Sequence, residues 1–255
     1  MGKDRSGGAG DPARTLELLW REPAGPAPAE RAPGRRGPRQ GLSVDAVVDA
    51  ATELADAEGL DALTMRALAQ RLGVTPMTLY TYVPGKAELL DLMLDQAYRR
   101  MARRATGPGD PWRQRVTRVA EDNRDLLARH PWVTELAVTR PPMGPGVIDK
   151  YAHELAAFDG IGLPDLEMDA ALTHLLSFVH AAVRAAAQAA EHNRRLSDED
   201  WWTATAPVLR RVVKSENHPL ASRVGTAAGA YNPQFAWEFG LRCVLDGIAS
   251  RLPRE

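Results

Sequence analysis

The chain has 255 residues, of which 44% are apolar and 25% are charged, and its formal net charge is −1. Such a chain is not a general polycation, so any affinity for phosphate must come from a local concentration of basic residues. A single cysteine, Cys243, excludes an intramolecular disulfide and suits a reducing cytoplasm. We find no apolar run approaching the ~20 residues of a membrane span and no signal-peptide core, so we expect a cytoplasmic protein without membrane contact.

Residues 1–41 contain six prolines and eight glycines, a composition typical of disorder, and we expect at most a short helical turn at 16–20. Residues 31–40 carry four arginines and no acid: Arg31, Arg35, Arg36 and Arg39. Two interpretations stay open. The arginines form a basic arm that contacts DNA, as homeodomain arms do, or they are solubility charge on a disordered extension.

Helical periodicity begins at Ser43 and continues to the end of the chain, so the predicted fold is all-α. Ser43 and Thr64 are candidate N-caps, and Gly59 and Gly73 suit the left-handed positions that end helices. Pro76 follows a Thr75 cap at the first helical position, where its missing N–H costs nothing. The first four predicted helices are 43–58, 64–72, 75–82 and 86–104.

The second and third of these helices form a helix–turn–helix, with Gly73 in the turn. Residues 64–86 contain no acidic residue but hold Arg66, Arg71 and Lys86. The second helix of such a unit lies in the major groove, with its N-terminal residues on base edges. We therefore expect DNA binding, with base contacts from the first turn of that helix: Thr75, Met77 and Thr78.

Four further residues extend the predicted interface. Tyr80 and Tyr82 suit phosphate contacts through ring and hydroxyl, Arg66 can reach a base or a phosphate, and Lys86 opens a helix whose N-terminus attracts phosphate. The plainer alternatives are that a tyrosine packs between helices, that Met77 only fills space, and that Arg71 is a solvated side chain. Leu79 is expected to point inward.

The remaining predicted helices span 110–129, 131–138, 145–159, 164–192, 198–214 and 232–252. They are separated by breakers at 141–146 and 160–164 and by a loop at 217–233. We therefore divide the chain into an N-terminal extension (1–41), a DNA-binding head with its connecting helix (42–104) and a second helical domain (105–255).

At this point the residues resemble a known family. Residues 42–93 are similar to the DNA-binding domain of the TetR family of bacterial transcriptional regulators. The similarity lies in Glu-Gly-Leu-x-x-Leu-Thr-Met-Arg, Leu-Ala-Gln-Arg-Leu-Gly-Val, Thr-Leu-Tyr-x-Tyr-Val and Gly-Lys-x-Glu-Leu-Leu. The resemblance implies a three-helix head fused to an all-α ligand-binding and dimerisation domain, without a cofactor. Family DNA contacts fall on Arg66, Thr75, Met77, Thr78, Tyr80, Tyr82 and Lys86.

The second domain resembles the tetracycline-repressor type. Thr139-Arg140-Pro141 matches a Thr-Arg-Pro segment that lines the tetracycline pocket there. The magnesium-binding His of that repressor would fall on Leu136, which has no ligand atom, and its pocket Asn would fall near Val119. The resemblance therefore implies the domain type but neither a bound metal nor a metal–tetracycline effector.

Helices 164–192 and 232–252 are the expected dimer surface. The first is rich in alanine, which lets another helix approach closely, and the second carries an apolar stripe from Trp237 to Leu252. The resemblance implies that two such helices from each subunit form a four-helix bundle, and a twofold dimer suits palindromic half-sites. The alternative is that both stripes are intrachain core. Cys243 is expected to be a small packing residue.

Candidate effector contacts are polar or aromatic residues of the second domain: Asn123, Arg140, Met143, Tyr151, His174 and Phe178. Taken singly, each is more typical of core or surface than of a ligand site. The 141–146 loop is a plausible moving element for effector entry.

The predicted function is a ligand-responsive regulator, a repressor by family default, that binds palindromic operator DNA as a homodimer and is released by a small molecule. An enzyme is one alternative, but we find no P-loop, dinucleotide fingerprint, nucleophile motif or paired-cysteine metal site. A protein-binding adaptor is the other, and the acid-free helix–turn–helix argues against it.

Overall fold

The structure is a computed structural model that describes residues 6–7, 11–21, 42–105, 107, 109–138, 141–212, 217–228 and 232–253. The four arm arginines and the candidate effector residue Arg140 lie outside the described residues. The chain divides into two compact units, 1–163 and 164–255.

The first unit contains seven α-helices among its described residues. They are α1 (Pro12–Leu19), α2 (Val44–Glu58), α3 (Met65–Leu72), α4 (Pro76–Tyr80), α5 (Lys86–Arg99), α6 (Trp112–Arg129) and α7 (Pro145–Leu155). Two 3-10 turns, Pro131–Glu135 and Ala156–Phe158, flank α7, and two-residue strands β1 (Ser6–Gly7) and β2 (Ala137–Val138) pair in parallel. The all-α class is confirmed, with this short pair as its one departure within the described ranges.

Helix α5 is the centre of the first unit. It packs against α1, α2 and α7, so most residues between Glu88 and Ala97 are buried on every side of the helix. Gly146 lets α7 cross α5 closely, because a Cβ at that position would collide with the Asp95 carbonyl oxygen. The compact unit therefore extends past the predicted head, since helices from both sides of residue 105 share one core.

The second unit contains α8 (Asp165–Arg195), α9 (Asp198–Val212), α10 (Pro219–Ala228) and α11 (Pro233–Ala249). Helices α8 and α11 pack together through Phe178 and Trp237, whose ring centroids are 5.4 Å apart. Gly240 lies directly against the Phe178 ring. The Arg251 guanidinium pairs with Glu167 at 2.8 Å and lowers the pKa of that carboxyl.

Helix α8 is the one described helix that is long and apolar enough, by length and composition, to cross a membrane. The sequence prediction that no segment approaches that length needs this correction, because the alanines raise the mean hydropathy. Its buried residues Leu172, Leu175 and Val179 belong to the second unit, in which α8 packs on α11. Mostly buried core helices of soluble proteins also meet this criterion, whereas 17% of the apolar window of α8 is buried in the structure.

Other expectations need correction. The N-terminal turn is a full helix, α1, because it packs on α5. The predicted helix 131–138 is a 3-10 turn followed by β2, and the predicted loop 217–233 contains α10. Cys243 is exposed rather than packed, since it lies on the side of α11 away from the buried stripe.

Candidate nucleic-acid interface

Local capping shapes the helix–turn–helix. The Thr64 hydroxyl accepts a hydrogen bond from the Ala67 amide at 3.1 Å, and the Thr75 hydroxyl accepts one from the Thr78 amide at 3.2 Å. Gly73 adopts the left-handed conformation with φ 67°, and the Val74 amide donates to the Ala69 carbonyl at 3.0 Å. Both caps and the glycine turn therefore lie where the sequence predicts them.

A buried anchor orients α4. The side chains of Leu79 and Val83 are fully buried, and Leu68 from α3 is buried with them. Because Leu79 faces inward, the opposite side of the short helix faces solvent. Met77 is 76% exposed and Tyr80 is 42% exposed on that side.

The predicted base-contacting hydroxyls lie side by side at the start of α4. The Oγ1 atoms of Thr75 and Thr78 are 2.9 Å apart, and both residues are exposed. The Thr81 hydroxyl donates to the Thr78 carbonyl at 2.7 Å, which ties the end of the helix. The solvent-facing side of α4 and its N-cap thus presents two hydroxyls, a thioether and a phenol between Thr75 and Tyr80.

The basic residues differ in how they are held. Arg66 is exposed in the first turn of α3. Arg71 pairs with Glu53 at 3.1 Å on the surface, as expected of a solvated helix face. Lys86 is half-buried, and its Nζ donates to the Leu60 carbonyl at 3.2 Å, so it also fixes the start of α5. Tyr82 is half-buried, unlike Tyr80.

Polar contacts join α2, the first helix of the head, to the end of α5 and to the 3-10 turn that follows α6. The Asp56 carboxylate accepts the Trp132 indole N–H at 2.7 Å and lies 2.8 Å from His130 Nδ1. Arg100 from the end of α5 pairs with Asp49 at 2.6 Å. Sequence reasoning missed Asp56 because its partners lie far along the chain and no local spacing connects them.

Asn123 belongs to a buried polar network between α5, α6 and α7. Its Nδ2 donates to Glu154 Oε1 at 2.5 Å and to the Val119 carbonyl at 2.9 Å. Lys150 Nζ donates to Glu154 Oε2 at 2.8 Å and lies 4.9 Å from the centre of the Tyr98 ring. Burial, together with the Glu154 carboxylate, raises the pKa of Tyr98.

The other effector candidates are more dispersed. Met143 and Tyr151 are exposed in the first unit. In the second unit His174 is exposed and Phe178 packs on Trp237. His174 and Phe178 lie one turn apart on the same face of α8. No group of three or more metal-ligating side chains occurs among the residues that the structure describes.

The network residues Lys150 and Glu154 were not singled out from sequence. Their spacing of four along α7 is also typical of a surface ion pair, so spacing alone does not reveal burial. Both side chains are less than one-tenth exposed. Asp95 was also not singled out, because its spacing of four from Arg99 is equally typical of a surface pair. In the structure the Val147 amide donates to Asp95 at 3.0 Å, and burial raises the pKa of this carboxyl.

Comparisons with known proteins decide the family. Residues 47–93 match the family model for bacterial regulatory proteins of the tetR family, and residues 105–252 match the tetracyclin repressor-like C-terminal domain. The chain belongs to the TetR family. It is therefore a DNA-binding transcriptional regulator with a helical C-terminal domain of the ligand-binding type.

Individual relatives agree with this assignment. The HTH-type transcriptional repressor DrrR1 of Streptomyces coeruleorubidus is 38% identical over 250 residues, covering 97% of this chain and 89% of that protein. Apo ActR of Streptomyces coelicolor superimposes with a TM-score of 0.67 at 25% identity, covering 82% of this chain and 98% of that chain. ActR in complex with actinorhodin gives a TM-score of 0.72 at 24% identity over 85% and 99% of the two chains, which shows the shared fold.

Proposed function

We propose that this TetR-family regulator is a cytoplasmic, non-enzymatic repressor. A homodimer binds a palindromic operator, and a small-molecule effector releases it. The functional division is a head at 42–104 and an effector and dimer domain at 105–255. The observation that carries the proposal is the solvent-facing side of α4, where Thr75, Met77, Thr78 and Tyr80 stand on the fully buried Leu79 in a stretch free of acids.

Each head residue has a proposed role. Thr75, Met77 and Thr78 contact base edges, because they occupy the first turn of the recognition helix. Tyr80, Tyr82 and Arg66 contact phosphates or flanking bases. Lys86 combines a phosphate contact with its bond to the Leu60 carbonyl, since an ammonium has three donors.

The apolar stripe of α11 from Trp237 to Ile248 is buried within the second unit, as the intrachain alternative expects, so the opposite side of α11 is the proposed surface for a second copy. Phe235 and Phe239 are 64% and 56% exposed on α11, and their rings stack with centroids 6.3 Å apart. Paired exposed rings on a helix whose other side is buried favour association with another apolar surface. A twofold dimer places two recognition helices on successive half-sites.

The effector is proposed to be an organic molecule without a bound metal, because Leu136 replaces the metal-binding His of the tetracycline repressor. Asn123, Arg140, Met143, Tyr151, His174 and Phe178 remain its proposed contacts. Actinorhodin, which occupies a solved ActR structure, is a suitable first probe. A hundredfold loss of DNA affinity requires only ~2.7 kcal/mol of differential binding between two states.

The test is fluorescence anisotropy on duplexes that the purified protein selects from a random pool, compared with scrambled duplexes over a salt series. We expect selective binding that weakens steeply with salt. Arg66→Ala should lower the salt slope by about one, whereas Arg71→Ala, a matched control that pairs with Glu53, should lower it less. Thr78→Ala should alter sequence preference more than salt slope.

Weak binding that is equal on all duplexes would contradict the proposal and favour the adaptor alternative. If the effector probe increased the affinity for promoter DNA and stimulated transcription in vitro, the protein would be an activator and not a repressor. Sedimentation velocity tests the dimer. Phe235→Glu with Phe239→Glu should yield monomers, and Met77→Glu, an exposed substitution on α4, should not.

A further inference from the structure

The N-terminal segment that precedes the family domain is fastened to the folded protein. We call its described residues, 6–7 and 11–21, the N-terminal strap. Asp11 caps α1 by accepting the Ala13 amide at 3.0 Å, and the Thr15 hydroxyl donates to the Asp11 carbonyl at 3.0 Å. Leu19 is 2% exposed, so the helix is anchored by burial in the first unit.

One side of the strap contacts described residues between the first 3-10 turn, Pro131–Glu135, and α7. Ser6 pairs with Ala137 and Gly7 with Val138 in the short parallel ladder. Further along, the Trp20 indole N–H donates to the Met143 carbonyl at 2.9 Å. A side chain at Gly144 would meet Leu19, which shows how closely the strap approaches this loop.

The other side of the strap holds the DNA-binding head. The Arg21 guanidinium pairs with Asp45 in the first turn of α2, and its second nitrogen donates to the Leu18 carbonyl at 2.6 Å. Between these points α1 packs along α5, the helix that leads out of the head. The strap therefore contacts α2 and α5 of the head, residues 137–138 and residues 143–144 within one unit.

The start of α7 is tied into the same arrangement. The Val147 amide donates to the Asp95 carboxylate on α5 at 3.0 Å, and the Ile148 amide donates to the Gly144 carbonyl at 3.1 Å. A displacement of residues 141–147 must break the Trp20 bond, carry the strap with it, or do both. Carrying the strap moves Arg21 against α2.

We propose that the N-terminal strap couples residues 137–138 and 141–147 to the DNA-binding head, so that movement of either one alters the other. This inference rests on the proposed function, because it specifies how an effector-dependent change reaches the DNA-binding surface. Coupling between two sites is reciprocal. Operator binding at the head must therefore restrain residues 143–148, and that consequence can be measured without knowing the effector.

The experiment is amide hydrogen exchange on the full chain, with and without a duplex selected by the native protein. In the native chain we expect DNA to slow exchange of the Val147 and Ile148 amides by about fivefold or more, the lower end of usual couplings. In the Trp20→Phe/Arg21→Gln variant this slowing should disappear, while protection of α4 by DNA persists. Trp20→Phe keeps an aromatic ring and removes the indole donor.

Matched controls separate coupling from a general change in charge or aromatic content. Arg14→Gln removes a charge from the exposed face of α1, and Trp202→Phe removes an indole N–H from α9. Both controls should retain the DNA-dependent slowing at Val147 and Ile148. Unchanged exchange in the core of α5 establishes that the strap variant is folded.

Two results would overturn the inference: equal DNA-dependent slowing in the native chain and the strap variant, or none in the native chain although α4 is protected. Failure of the proposed function looks different, because no duplex is then enriched and no DNA protects α4. That outcome would contradict both the proposed operator binding and the proposed role of the strap.

Discussion

The recognition surface and the interior of helices α5–α7 place their polar groups in opposite ways. On α4, hydroxyls, a thioether and a phenol face solvent above the buried Leu79. Between α5, α6 and α7, an ammonium, a carboxylate and an amide are enclosed: Lys150, Glu154 and Asn123. The helix–turn–helix keeps an apolar inside and a polar outside, whereas the interior of helices α5–α7 contains charged groups.

The two arrangements differ in how strongly their stability depends on precise hydrogen-bond geometry. An exposed hydroxyl keeps its hydrogen bonds to water whatever its neighbours do. A buried ion pair loses several kcal/mol of hydration per ion and recovers it only with good geometry and further hydrogen bonds. The head can therefore exchange contacts with DNA at little cost in stability, while the interior network is sensitive to small displacements.

The largest effect should come from breaking the buried network. Glu154→Ala leaves Lys150 buried without its carboxylate and should destabilise the fold by about 3–5 kcal/mol. Glu191→Ala is the matched control, because Glu191 pairs with Arg194 and Arg195 on the surface. The control should leave the urea midpoint nearly unchanged. Equal losses of stability in both variants would contradict the claim that the buried ion pair is more sensitive than a surface pair.

The second effect separates the two faces of α4. Leu79→Ala should destabilise by about 2–5 kcal/mol, because it removes a fully buried side chain. Met77→Ala, on the exposed face, should change stability by less than about 0.5 kcal/mol while weakening binding to a selected duplex. Urea unfolding and anisotropy on the same preparations give both values. A large stability loss for Met77→Ala would show that its face is packed.

Two helix caps provide a smaller and closely matched comparison. Thr64→Ala and Thr75→Ala each remove one cap bond and should each cost about 1 kcal/mol of stability. Thr75→Ala should lose more DNA affinity than Thr64→Ala, because its hydroxyl also lies at the proposed base-contacting face. Equal losses of affinity would assign Thr75 to capping alone.

The smallest effect concerns pH. Burial raises the pKa of Asp95 above its ordinary value of 3.8, so the folded state holds this proton more tightly than the unfolded state. The contribution of this group to stability is full below that value and is lost as pH rises through the folded pKa. Asp95→Asn cannot ionise and still offers an acceptor to Val147. Urea unfolding should show its stability relative to the native chain rising as the pH increases above about 4; a constant difference would contradict the raised pKa.

The sequence predicted the parts of the fold that local chemistry determines. Ser43, Thr64 and Thr75 cap helices and Gly73 turns left-handed, because each depends on residues within one turn. Helix α1 was predicted only as a short turn at 16–20, because its Leu19 is buried by residues distant in sequence and the local composition indicates disorder. Asp56 was missed because its partners His130 and Trp132 are more than 70 residues away.

The interior of helices α5–α7 shows the same limit. Asn123 was selected as a polar residue in a helical domain, but its partner Glu154 lies 31 residues later. The spacing of Lys150 and Glu154 is compatible with either surface or core, and only the crossing of α7 with α5 and α6 decides between them. The exposure of Cys243 follows from the rotation of α11 about its axis, which a stripe of apolar residues defines only approximately.

The close crossing at Gly146 has a consequence for genetics. A random screen for alleles that no longer respond to an inducer would recover substitutions at this position, although it touches neither base nor phosphate. Any replacement adds a Cβ where the Asp95 carbonyl lies, so α7 is wedged away from α5. Such alleles would be easily mistaken for defects in inducer recognition. They would shift the inducer concentration needed for release from DNA and leave the recognition helix intact.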